Sequence, residues 1–326
     1  MKHILIVNPA AGKTNALPHI REEVASLAKK YDVTVYETTG KGDATEAVRR
    51  MADEHKDEAV RFYACGGDGT LNEVVAGAYG KANASVSCYP CGSGNDFVKY
   101  YGGAAHFLSL AELFEGEERE VDLITDGERY AINTANFGFD YAVLYTMERA
   151  RRIPLLGGKR AYYAGIARSL FGNMKNNAEV YADGELLDSK GQFLLCTAAC
   201  GNYIGGSYMC APRSDNEDGL LEICYVKSIS VFRFLKLMGY YTRGEHLDDP
   251  LFKDIIVYRR AKELTVRSYD KGFGYALDGE MVPSNSFTLR VLPRALHFAI
   301  PAKAAQYLIE KKETLAQKQE NLAAAK

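Results

Sequence analysis

A strand that runs into Gly66-Gly67-Asp68-Gly69-Thr70 and leaves it as a helix gives this chain few folds to choose from. Val60-Arg61-Phe62-Tyr63-Ala64-Cys65 is a short apolar run that reads as a buried strand, and Leu71, Val74, Val75 and Ala78 follow at helical spacing. Glycines let the backbone approach an anion closely, and a helix N-terminus presents free N–H groups to it. Asp68 places a carboxylate where a magnesium ion beside phosphates needs one. Together these features predict a nucleotide phosphate site.

The surroundings of the turn extend the pattern. Strand signals at 3–7, 32–36, 60–65 and 85–90 alternate with helical ones. Leu17, Ile20, Val24, Leu27 and Ala28 form one apolar stripe, and Asp43 is placed to cap a second helix through Ala47, Val48 and Met51. Such alternation implies a mostly parallel sheet covered by helices, with ligands beyond the carboxyl ends of its strands. After about residue 120 strand-like runs dominate: 119–124, 129–137, 178–182, 191–200, 219–227, 262–269, 273–277 and 286–292. Helical stretches near 140–150, 160–173 and 230–241 interrupt them. The expected fold is an α/β N-terminal domain over 1–123, a mainly antiparallel β-sandwich over 124–300, and a terminal helix over 301–326 that packs back on the first domain or frays.

Composition narrows the function. The 326 residues carry a formal charge of −2, which argues against bulk nucleic-acid binding. No apolar run approaches the length of a membrane-spanning helix, and the apolar start of the chain reads as a first strand rather than a signal peptide. Seven scattered cysteines suit a reducing cytosol better than a disulfide framework. Cys88-Tyr89-Pro90-Cys91 has redox spacing, but it sits at a strand end before another glycine-rich turn, where a redox pair is not expected.

Two further turns accompany the first, each just after a strand: Asn8-Pro9-Ala10-Ala11-Gly12-Lys13 and Gly92-Ser93-Gly94-Asn95-Asp96-Phe97. In a parallel sheet all three share one edge and can converge on one ligand. Neither a Gly-x4-Gly-Lys-Ser/Thr loop nor a Gly-x-Gly-x2-Gly fingerprint is present. The three turns, in this order, resemble the signature of the diacylglycerol kinase catalytic domain, a superfamily that includes bacterial soluble lipid kinases, sphingosine kinases and ceramide kinases. The resemblance spans nearly the whole chain. The Gly-Gly-Asp-Gly-Thr element alone also occurs in NAD kinases. Ser93 stands where the family more often has threonine, and the hydroxyl survives.

The resemblance implies roles residue by residue. ATP phosphates would lie against Gly66, Gly67, Asp68, Gly69, Thr70, Leu71 and Asn72 and near Asn8, Pro9, Ala10, Ala11 and Gly12. Thr38 and Ser93 would be further nucleotide contacts. Asp68 and Asp96 would organise the catalytic Mg2+. Asp218-Gly219 matches a structural magnesium loop, with the Asp218 side chain and backbone oxygens near Asp215 and Leu220 as ligands; from sequence alone it is an ordinary acidic turn.

Transfer to a lipid hydroxyl needs a general base, which the family places in an Asp-Gly-Glu of the second domain. This chain has three: Asp126-Gly127-Glu128, Asp183-Gly184-Glu185 and Asp278-Gly279-Glu280. The first two read as hairpin turns, and spacing allows the third to be one too. Its order near the chain end matches the family position, so Glu280 is the expected base, with Asp68 next in line. The expected function is an ATP- and Mg2+-dependent lipid kinase acting on diacylglycerol or a related alcohol. The rivals are an NAD kinase-like enzyme with a soluble acceptor and a non-catalytic nucleotide-binding regulator. A cytoplasmic protein that meets membranes peripherally is expected, and a homodimer is left open. Arg149, Arg151, Arg152, Lys159 and Arg160 flank Ile153-Pro154-Leu155-Leu156, a segment suited to anionic headgroups or to a solvated loop. Phe137, Phe139, Tyr141, Tyr162, Tyr163 and Tyr203 either line an acyl pocket or belong to the core.

Overall fold

Four runs of buried residues build the first sheet. β1 (Lys2–Val7), β2 (Asp32–Glu37), β3 (Val60–Gly66) and β4 (Ala84–Pro90) are parallel, in the order β4-β3-β1-β2. Every residue of β3 and β4 is buried in this computed structural model, as befits a parallel sheet covered on both faces. The model describes residues 1–12, 16–151 and 174–324. Connecting the strands are α1 (Leu17–Leu27), α2 (Asp43–Glu54) and α3 (Asp68–Ala78), and a short α4 (Leu110–Phe114) follows β4. Arg61, buried within β3, donates to the carbonyls of Leu113, Phe114 and Gly116 and pairs with Glu118 at 2.9 Å. It thereby satisfies the C-terminal carbonyls of α4.

The chain leaves β1 for β2 on one side and returns to β3 on the other. The carboxyl ends of β1 and β3 therefore flank a topological switch point, where open α/β sheets keep their ligands. One local expectation changes. Asp43 does not cap α2: Gly42 precedes the helix with φ 86°, and the Asp43 carboxylate reaches back to the N–H and hydroxyl of Thr39 (2.7 and 3.0 Å).

A second unit covers Asp122–Pro293, while Arg294–Lys326 joins Met1–Val121. The second unit is antiparallel. Its strands are β5 (Glu117–Thr125, entered from the first unit), β6 (Tyr130–Ala131), β7 (Thr134–Gly138), β8 (Asn176–Ala182), β9 (Glu185–Leu186), β10 (Gln192–Ala199), β11 (Leu221–Lys227), β12 (Ile256–Ala261), β13 (Glu263–Ser268), β14 (Gly274–Leu277), β15 (Glu280–Pro283) and the start of β16 (Ser286–Ile300). One layer runs β15-β14-β7-β10-β11-β12, and the other joins β9, β8, β13 and β16. Phe137, Val180, Phe193, Tyr225, Val266 and Phe287 interdigitate between the layers. On the outer face of β10 and β11 lie α5 (Phe139–Arg151) and α6 (Val231–Arg243), with Phe139 and Phe234 rings 4.9 Å apart. The run 129–137, expected as one strand, is split. The Asp278 carboxylate takes the N–H groups of Ile132, Asn133 and Thr134 out of the ladder at 2.8, 3.1 and 2.9 Å.

The late half of β16 pairs in parallel with β4 at Phe298 and Val86, and α7 (Ala302–Ala324) follows. Ala304 and Leu308 are buried, and the Lys311 ammonium stands 3.6 Å from the Tyr100 ring centre. The class expected from sequence holds: parallel α/β, antiparallel sandwich, terminal helix. Lys13, the helix at 160–173, Tyr162, Tyr163 and the basic segment from Arg152 to Arg160 lie outside the described residues, as do the side chains of Arg149, Arg151 and Leu315. Phe137 sits in the sandwich core, edge-on to Phe193 and Phe287, rather than lining a pocket.

Candidate active site

Three turns meet because their glycines let them. A side chain at Gly92 would lie 2.3 Å from the Cα of Gly67, and one at Gly94 would lie 2.7 Å from Asp68 Oδ2. The β3 and β4 turns are thus in backbone contact, which only glycine permits. The β1 turn joins them through Asn8, whose Nδ2 donates to Thr70 Oγ1 (3.1 Å) while its Oδ1 accepts the Ala10 N–H (3.0 Å). Asn95 closes the third turn. It takes a left-handed conformation (φ 50°), and its Nδ2 donates to the Gly92 carbonyl at 3.0 Å. Its Oδ1 is buried and accepts no hydrogen bond among the described residues.

These turns line a cavity of about 620 Å³ at the carboxyl edge of the sheet. From the first turn it takes Asn8 to Gly12; from the second, Gly67 to Thr70; from the third, Gly92 to Gly94. Thr38, at the end of β2, and Ser93 also line it. Gly66, Leu71 and Asn72 do not: the Leu71 side chain is buried in the core, and a Cβ at Gly66 would meet Thr70 Oγ1 at 2.3 Å. The structure adds a wall that the motifs did not announce, made of Thr39, Gly40, Lys41, Ala44 and Glu73. Glu73 Oε1 accepts the Gly42 N–H (2.9 Å), tying the loop after β2 to α3. Gly40-Lys41-Gly42 was legible as a fourth glycine-bearing turn after a strand.

Asp68 lines the cavity, and Asp96 stands beside it outside the lining. Asp68 opens α3, and its Oδ1 accepts the Asp96 N–H at 2.6 Å. Burial and then the neighbouring Asp96 charge push the Asp68 carboxyl above its ordinary range, against the backbone N–H groups of Asp96 and Phe97. Asp96 is nearly buried and pairs with Lys99 at 2.5 Å. Two hard oxygen donors that raise each other's affinity for positive charge suit a divalent cation whose other ligands are phosphates and water. No group of three acidic, His or Cys side chains with metal-site geometry occurs among the described residues. The Cys88–Cys91 pair is no redox site: burial pushes both thiols up, where a reactive pair needs a depressed thiol.

In the second unit, Glu280 begins β15 and pairs with Leu277 across a two-residue turn, with Asp278 at φ 47° and Gly279 at φ 88°. Glu280 is half-buried, whereas Glu128 and Glu185 are exposed. The loop with Asp215 and Asp218 is held by its own backbone. Asp215 Oδ1 accepts the Glu217 N–H (3.2 Å), Asp218 Oδ1 accepts the Leu220 N–H (3.0 Å), and Arg260 pairs with the other Asp218 oxygen. Burial raises the Asp218 carboxyl.

Comparison with known proteins decides what this arrangement belongs to. Residues 2–125 match the diacylglycerol kinase catalytic domain, and residues 133–300 match the YegS C-terminal NAD kinase beta sandwich-like domain. This chain belongs to the diacylglycerol kinase catalytic-domain family. A diacylglycerol kinase of Bacillus subtilis strain 168 is 28% identical over 93% of this chain and 98% of its own length. One from Staphylococcus aureus strain MRSA252 is 29% identical over 87% and 89%. A crystal structure of a diacylglycerol kinase from Bacillus anthracis strain Sterne shares the fold, with a TM-score of 0.68 at 20% identity over 93% of this chain and 98% of that one. As a member of that family the protein is a kinase.

Proposed function

We propose that the protein transfers the γ-phosphate of ATP to the hydroxyl of diacylglycerol or a related lipid alcohol, giving phosphatidic acid or its analogue. The observation that carries this reading is the convergence of the three glycine turns on one cavity lined by Asp68, whose Oδ1 accepts the Asp96 N–H. Backbone N–H groups at the start of α3 and in the Asn8–Gly12 turn receive the phosphates. Thr38 and Ser93 add hydroxyl contacts. Asp68 and Asp96 would hold Mg2+, which would supply charge neutralisation for the phosphates. The buried Asn95 Oδ1 supplies a further hard oxygen at the same turn. Glu280 takes the proton from the acceptor hydroxyl as the oxygen attacks phosphorus in line, and ADP leaves.

A second magnesium would lie at Asp218 and backbone oxygens near Asp215 and Leu220, sharing the Asp218 carboxylate with Arg260. A rise in Tm with MgCl2 that Asp218→Asn abolishes supports that cation; an unchanged rise in the variant removes it. The enzyme would work from the cytoplasmic side of a membrane, as a monomer or homodimer. No described helix is long and apolar enough to cross a bilayer.

The match of the second half to an NAD kinase-like sandwich keeps a soluble acceptor in view. One assay separates the readings: purified protein with labelled ATP, magnesium and lipid alcohols in mixed micelles, beside a parallel reaction with NAD. Label in lipid is expected. Label only in NAD transfers the function to the rival, and ATP binding without turnover on either acceptor makes the protein a regulator.

A further inference from the structure

α6 buries one face and leaves a second apolar face in water. Phe234, Leu237 and Tyr241 point into the core beneath β10 and β11. At about 100° per residue, Phe232 lies opposite Tyr241 on the helix wheel, and Leu235 sits on the same outer side. Phe232 is 87% exposed and Leu235 57%. Gly239 contributes no side chain to this face, although glycine is disfavoured within a helix. The face is therefore flat apart from the two apolar groups and a fringe of cations.

The charge on α6 has one sign. The helix carries Arg233, Lys236 and Arg243 and no carboxylate. Arg233 pairs with Asp254 at 2.7 Å, and Arg243 pairs with Glu245 at 2.7 Å, both acids lying beyond the helix. Lys236 makes no ion pair among the described residues. Exposed apolar side chains flanked by cations match acyl chains beneath anionic phosphates. A second copy of the chain fits less well, because a two-fold contact sets each face against itself and brings like charges together.

We infer that the outer face of α6, with Phe232 and Leu235 inserted and Lys236 at the headgroups, docks the protein on an anionic lipid bilayer. The inference rests on the lipid-acceptor reading, which requires the enzyme to meet a membrane.

Flotation of the full chain with phosphatidylglycerol–phosphatidylcholine vesicles, without nucleotide, tests it. The wild type is expected to float with these and not with phosphatidylcholine alone. Phe232→Ala with Leu235→Ala should cut association about tenfold, and Lys236→Gln about fivefold. Phe232→Asp should abolish association while Tm stays at the wild-type value. A wild type that ignores anionic vesicles overturns the inference, as does a double variant that floats unchanged. Sedimentation velocity gives the other overturning result: a dimer that the double variant makes monomeric assigns the face to a second copy. Transfer of label to a short-chain, water-soluble diacylglycerol needs no vesicle. Its failure alone defeats the lipid-kinase reading, and failure of flotation alone defeats the docking face.

Discussion

The Asp183-Gly184-Glu185 and Asp278-Gly279-Glu280 turns are nearly the same object. Each joins two antiparallel strands, with Asp at φ 47° and Gly at φ 83° or 88°. In each the aspartate carboxylate accepts backbone N–H groups of a distant segment: Lys262 and Glu263 for the first, Ile132, Asn133 and Thr134 for the second. What differs is the glutamate. Glu185 is exposed on the short β9, while Glu280 is half-buried on the strand beside β14. One tripeptide thus serves as a fastening in both places, and only its surroundings can make one of them reactive. The Gly66–Thr70 turn is the opposite case, because its strand, its glycines and its helix are contiguous in the chain.

Substitution breaks the resemblance between the hairpins. Glu280→Gln should lower kcat on a lipid acceptor at least ~100-fold, the usual scale for a general base. Glu185→Gln should leave it near wild type. Equal rates in the two variants would move the base to Asp68. Stability cannot make this distinction: Asp278→Ala and Asp183→Ala each orphan backbone donors, and each should lower stability by about 1–3 kcal/mol in a denaturant titration.

The glycine turns break differently, through the backbone. Gly92→Ala places a methyl group 2.3 Å from the Gly67 Cα, and a backbone atom cannot swing aside. A loss of about 1–3 kcal/mol is expected in thermal unfolding. Nucleotide affinity, read by calorimetry, should fall with it. Gly184→Ala, whose Cβ meets nothing within 4 Å, tests positive φ alone and should cost about 1 kcal/mol.

The same contrast explains what could be read in the sequence. The parallel sheet was legible because short strand signals alternate with helical ones, and glycine turns follow β3 and β4. The phosphate cradle was legible because three turns recur after three strands. Glu73 was missed because only a contact across 31 residues, Gly42 N–H to Glu73, ties it to the loop after β2. β12 was missed because Ile256-Val257-Tyr258-Arg259-Arg260-Ala261 lacks alternation and pairs only with β11. β15 has four residues and ends in proline, so it reads as turn. The family resemblance singled out Glu280; local pattern could not.

Asp43 offers a gentler perturbation of the nucleotide side. Its carboxylate holds the Thr39 N–H and hydroxyl and the Tyr36 hydroxyl (2.9 Å), fixing the loop that carries Thr38 and Lys41. It is a positioning residue and lines no part of the cavity. Asp43→Ala should raise the KM for ATP about five- to tenfold, the scale of one or two hydrogen bonds, and leave kcat within about twofold. A fall in kcat with KM unchanged would show that the loop acts in the transfer step itself.

The smallest effect is also the one that assigns a proton. Asp68 must be ionised to hold a cation, and its carboxyl is raised by burial and by the Asp96 charge. In the folded protein it gains its proton at a higher pH than an ordinary carboxyl, so the acid limb of kcat/KM should lie above the usual carboxylate range. Asp96→Asn deletes the like charge and must lower the Asp68 value. If the limb reports Asp68, it shifts to lower pH, even as the rate falls for want of a cation ligand. A limb that stays where it was does not report Asp68. A pH profile of the two proteins at saturating magnesium therefore tells whether the carboxylate in the glycine turn loses the proton that switches the enzyme on.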